Sequence, residues 1–103
     1  MSTSIILPNQ EIIILYDIIN LQSEIQHSLY HLHALVGIRL INEKEKLFKL
    51  YDQVGDYYDA LSNNKLAYDN YLSAFEYISE YIDRKEYRSF FNKFHQYKKN
   101  LMN

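Results

Sequence analysis

The chain has 103 residues, a length suited to one small domain, and its 48% hydrophobic content is enough to build a core. Cysteine is absent, which excludes disulfides, thiolate nucleophiles and Cys-based zinc sites. Two Gly and one Pro are too few turn residues for a β-sandwich or a Rossmann-type sheet, so the expected class is all-α, and the net charge of −2 speaks against a dedicated phosphate binder.

In chain order, residues 1–9 read as a flexible arm, with Asn9 as N-cap and Glu11 in the first turn of a helix starting at Gln10. Met1–Leu7 carries no basic n-region, and the apolar runs Ile5–Leu7 and Ile12–Leu15 are far short of a membrane span, so a cytoplasmic location is expected. Ile12, Ile13, Ile14, Leu15, Ile18, Ile19 and Leu21 cover most of this helix's circumference. That implies burial on more than one side or an intermolecular contact.

Residues 10–41 contain no Pro, and the stripe Ile14, Ile18, Leu21, Ile25, Leu29, Leu32, Val36 runs on almost unbroken. A single helix there would span about 48 Å at 1.5 Å per residue. Ser23 with Gln26 has capping-box spacing and Ser28 could also cap. A break between Ser23 and Ser28, giving a degenerate first hairpin, is favoured over one long helix.

Later starts are marked by Asn42 with Glu45 and by Asp83 with Glu86, a cap followed three residues on by an acid. They predict helices over about 43–61, 65–82 and 84–99, joined between the first two by the turn cluster Ser62-Asn63-Asn64, whose residues tolerate left-handed backbone. The expected array has about five helices in antiparallel hairpins, the first two fusing into one if the break is missing.

Within residues 48–79, Tyr51, Val54, Tyr58 and Leu61 recur on one helical face, and Leu66, Tyr71, Ala74, Phe75 and Ile78 do much the same on the next. Gly55 in mid-helix costs roughly 1 kcal/mol relative to Ala, which makes sense if the facing helix comes close at the small residues Ala67 and Ala74. Tyr51-x2-Val54-Gly55-x2-Tyr58, then Ala67-x3-Tyr71, then Ala74, resembles a tetratricopeptide (TPR) repeat. The chain departs from that pattern at Tyr51 (Trp in the family), at Tyr71 (Phe) and at Ser79, where the family has its closing proline. The resemblance implies close packing at Gly55, Ala67 and Ala74, and a C-terminal helix (residues 84–100) covering the last repeat.

Charge is segregated along the chain. Residues 83–103 carry six Lys or Arg against two acids, a balance of +4, and the remainder carries five against eleven, a balance of −6. Asp52, Asp56 and Asp59 share one helical face, with Lys49 one turn before, offset from the Tyr51/Val54/Tyr58 stripe. By the TPR resemblance these four positions line the concave, ligand-facing groove, implying an acidic site for a basic or amphipathic segment of another protein. The alternative is a solvated face. The +4 segment could also occupy that face in cis, or across a dimer.

Glu24, His27 and His31 could align on one helix face, but bundle metal sites draw ligands from several helices, so no metal is expected. No phosphate loop, H-E-x-x-H or G-x-S-x-G is present, and neither catalysis nor a cofactor is expected. Tyr87, Phe90, Phe91, Phe94 and Tyr97 interleave with the basic residues of the last helix, a pattern nucleic-acid binders use, yet Phe90, Phe94 and Tyr97 read more simply as a core face. The expected function is a small TPR-like adaptor or chaperone holding a partner helix or peptide. The alternatives are a toxin-neutralising or host-factor-blocking bundle and a nucleic-acid-binding regulator. Self-association, or marginal stability until a partner binds, is expected, because one hairpin cannot bury both its faces.

Overall fold

The computed structural model describes residues 8–35, 40–81 and 84–102, and every element among them is helical. Four α-helices follow one another: α1 (Pro8–Ala34), α2 (Leu40–Ala60), α3 (Asn64–Ile78) and α4 (Arg88–Leu101). Two single 3₁₀ turns, Ser79–Tyr81 and Lys85–Tyr87, lie between α3 and α4.

α1 is one unbroken helix of 27 residues, not a hairpin. The expected break between Ser23 and Ser28 is absent because the inner stripe that holds α1 to α2 runs straight through it: Ile18, Leu21, Ile25 and Ser28 are all buried. Local capping signals lose to that continuous burial, even though the enclosed Ser28 Oγ finds no hydrogen-bond partner among the described residues. The helix starts earlier than expected. Pro8 occupies its first position, where the missing N–H costs nothing and φ is already helical. Asn9 therefore lies inside the first turn, its side chain accepting from the Gln10 N–H at 3.0 Å, and the rest of the expected arm falls outside the described residues. Likewise α2 begins at Leu40, which places Asn42 within it instead of before it.

The α2–α3 connection is built from a C-terminal and an N-terminal cap in direct succession. Asn63 N–H donates to the Tyr58 carbonyl at 2.9 Å, and Ser62 N–H to the Asp59 carbonyl at 2.9 Å, the paired bonds of a Schellman motif. Ser62 takes the left-handed position that closes it, with φ 61°. Asn63 then caps α3 by accepting from the Leu66 N–H at 3.2 Å. A serine in that conformation carries a Cβ penalty that glycine lacks. Ser62→Gly is therefore expected to raise stability by up to about 1 kcal/mol, read as a higher denaturant midpoint. A lower midpoint would show that the serine is not strained there.

Along α2 and α3 the contacts run in opposite order: Lys44 meets Glu80 at 3.2 Å, the Tyr51 ring stacks on Tyr77, and Asp56 meets Tyr71. The residues expected to pack closely gather here. Val54, Gly55, Ala67, Tyr71 and Ala74 are buried, with Tyr51 and Tyr58 half-buried. One partner differs from expectation. A Cβ on Gly55 would stand 2.5 Å from Cδ1 and Cε1 of Tyr71, so the glycine makes room for that ring and not for Ala67 or Ala74. The two alanines sit four residues before and three after Tyr71, on its own face of α3, and leave the space in which the ring lies against α2.

The core has two parts. Ile18, Leu21 and Ile25 of α1 pack with Leu47, Leu50 and Val54 of α2. Phe48 of α2, the buried stripe of α3, and Tyr87, Phe90 and Phe94 form an aromatic-rich second cluster. Phe48 makes edge-on contacts with Tyr87 and Phe90, and Phe94 stacks on Tyr68 and Phe75. α3 ends at Ile78 and tightens to a 3₁₀ turn, short of the expected Ile82. The expected cap at Asp83 lies outside the described residues, and the last α-helix begins at Arg88, not Arg84.

Candidate functional site

The acidic face of α2 is occupied by the chain's own C-terminal helix. Heptad-like spacing on α4 turns Phe90, Phe94 and Tyr97 toward α2 and α3, and this carries Lys93 over the carboxylates. Its Nζ lies 2.6 Å from Asp52 Oδ1 and 3.0 Å from Asp56 Oδ1. The Tyr71 hydroxyl donates to the same Asp56 oxygen at 2.6 Å. The ammonium also stands over aromatic faces, 4.6 Å from the Tyr71 centroid and 5.6 Å from that of Phe90. Nearby, Tyr87 donates to Glu45 at 2.8 Å. Tyr97 donates to Asn64 at 3.0 Å, beside a cleft of about 250 Å³ lined by Asp59, Asn64, Tyr97, Asn100 and Leu101.

The titration behaviour follows from this enclosure. Burial raises the Asp52 carboxyl above its ordinary value, and outweighs the Lys93 charge that would lower it. For Lys93 burial acts downward, but the hydrogen bonds and charges of Asp52 and Asp56 prevail and its pKa rises. The Tyr71 hydroxyl is pushed far up, by burial first and by the Asp56 carboxylate it serves second. Tyr97 is raised for the same pair of reasons, with Asp59 as its acid. Asp52 is thus an internal anchor for α4, whereas Asp59 and Lys49 remain exposed.

The second candidate surface is the outer face of α1. Ile12, Tyr16, Ile19, Ser23, Gln26 and Tyr30 are spaced alternately four and three residues apart, the period of a coiled-coil seam, and all are exposed. Ile12, Tyr16, Ile19 and Tyr30 keep 54%, 64%, 60% and 77% of their surface in water. No seam position carries a charge. Between Ile12 and Gln22 the single charged residue is Asp17, which lies on the inner side beside Tyr57 and, after burial, helps raise that phenol's pKa. A largely apolar helix face with this much exposure makes α1 the second candidate interaction surface. The sequence shows α1 to be apolar nearly all round, but which side stays open depends on where α2 lies.

The His27 and His31 rings lie 4.5 Å apart on the exposed side of α1. Among the described residues no group of three or more His, Asp or Glu side chains could hold a metal ion, and no helix is long and apolar enough to cross a membrane. No family model, curated protein or solved structure matches the chain.

Proposed function

We propose that the chain is a non-enzymatic protein-interaction module: a TPR-like antiparallel hairpin, α2 with α3, flanked by α1 and α4, that holds an amphipathic helix of a partner. What supports this is the outer seam of α1, uncharged and mostly apolar, left in water by a helix whose inner stripe is buried against α2. Of the expected partner groove of Lys49, Asp52, Asp56 and Asp59, two carboxylates, Asp52 and Asp56, are already ion-paired with Lys93 of α4, while Lys49 and Asp59 stay exposed. The partner segment therefore docks on α1, and no reaction chemistry is required of any side chain.

The test is affinity purification of the tagged chain from its native host, with mass spectrometry of what is retained. Replacing Tyr16 and Ile19 together by Glu is expected to abolish partner retention and leave circular dichroism unchanged, both positions being exposed. If Asp56→Lys with Asp59→Lys abolished retention and the α1 variant did not, the acidic face would be the docking site instead.

A further inference from the structure

We propose that the amphipathic helix held by α1 is α1 of a second copy, the two seams packing face to face about a two-fold axis. This rests on the interaction-module reading above and names its occupant. A two-fold interface presents the same patch from both sides, so the patch must be complementary to itself. The seam meets that condition in three ways.

It has no charge at any position, so pairing with itself brings no like charges together and buries no ion. A basic or acidic foreign segment finds no counter-charge there. Its polar members are Ser23, Gln26 and the hydroxyls of Tyr16 and Tyr30, and each is donor and acceptor at once. Groups of that kind can satisfy one another across an axis, as lysines or carboxylates cannot. The four-three spacing is also what lets two helices wound slightly about each other interleave side chains along a shared line.

Geometry and area agree. The inner stripe of α1, at Ile18, Leu21, Ile25 and Ser28, faces α2, and Ser23 and Gln26 line a cleft with Tyr51 and Asn70, so Ile12, Tyr16, Ile19 and Tyr30 are the seam positions left clear for another helix. With Ile13 and Leu15, 58% and 43% exposed, flanking the seam, pairing would cover six large exposed side chains per copy, toward the roughly 800 Å² per partner of a specific interface. Ile13 also lines an apolar groove of about 390 Å³ with Gln10, Ile14 and Ala60, which gives flanking side chains of the second copy a place to enter.

The experiment uses the purified full chain. Light scattering across the micromolar range is expected to give twice the 12.4 kDa chain mass. Ile19→Glu, at an exposed position, is expected to return the 12.4 kDa species with helicity unchanged, the dissociation constant rising about 100-fold or more because a carboxylate is buried in the seam. Since the chain has no cysteine, Ile19→Cys should cross-link to a dimer on oxidation. Asn92→Cys, exposed on α4 away from the seam, should not. A wild-type monomer at all concentrations, a dimer that survives Ile19→Glu, or equal cross-linking of both cysteine variants would overturn the proposal. If the purified chain is monomeric but the Tyr16/Ile19 double variant still loses a foreign partner, only the second copy is wrong, and the interaction module stands. If neither dimer nor seam-dependent partner is found, both fall.

Discussion

Replacing Tyr71 with alanine is expected to cost about 3–5 kcal/mol, the range for removing a large buried ring. The residue is 1% exposed, and three different contacts depend on it. Its ring fills the space over Gly55, its hydroxyl holds Asp56, and its face supports the Lys93 ammonium. A denaturant melt measures the loss, and a change under about 1 kcal/mol would mean that the ring is not the centre of this packing. The Gly55 pairing makes the test sharper. In the parent, Gly55→Ala gains up to about 1 kcal/mol of helix propensity but drives a methyl into the Tyr71 ring, for a net destabilisation of about 1–3 kcal/mol. In the Tyr71→Ala background the obstruction is gone, and the same substitution should become neutral or stabilising. An unchanged sign in the two backgrounds would show that Gly55 is retained for some other neighbour.

Alkali is expected to unfold this protein well before it affects an average helical domain. Tyr51, Tyr57, Tyr71, Tyr77, Tyr87 and Tyr97 all have their pKa raised, burial being the first cause in each, and Tyr87 reaches about 12 with Glu45 as its acceptor. A phenol whose pKa is higher folded than unfolded stays protonated longer in the native state. Its contribution is complete below the ordinary value of 10.0 and is lost as pH rises from there toward the folded value. Lys93, also raised, loses its contribution in the adjoining window above 10.5. Denaturant midpoints should be level between about pH 7 and 9 and fall steeply between about pH 10 and 12. Tyr87→Phe removes the phenol that titrates at about 12 and should flatten that fall, at the cost of its bond to Glu45. Equal midpoints at about pH 8 and about pH 11 would rule the tyrosine linkage out.

Much of the helical content is legible in the sequence because its signals are local. The turn at Ser62 and the cap at Asn63 follow from side chains that act on their own backbone, and the buried stripes follow from three-four spacing. Legibility ends where a neighbouring helix decides the outcome. Ser23 and Gln26 look like a helix start in isolation, yet they sit exposed at a cleft beside Tyr51 and Asn70, on a helix whose inner stripe is already committed to α2. Gly55 announces a point of close approach, but its partner cannot be told from Ala67, Tyr71 or Ala74 without the offset between α2 and α3. The opposite charges of α2 and residues 83–103 suggest that the two meet. That Lys93, of the six basic residues there, is the one seated on Asp52 and Asp56 depends on the 3₁₀ turn that sets the rotation of α4.

α1 packs chiefly against α2, while α2, α3 and α4 share the aromatic cluster. Opening α1 exposes only its own inner stripe and the matching side of α2, whereas opening α4 strips Phe90, Phe94 and Tyr87 and unseats Lys93 as well. The native state therefore has two tiers of cooperativity. Amides in α1 can exchange with solvent through a partial opening that leaves the other three helices closed, and those in α3 only through a far costlier event. The proposed interaction surface thus sits on the more loosely held tier, where any partner that grips α1 would also change how often it lets go.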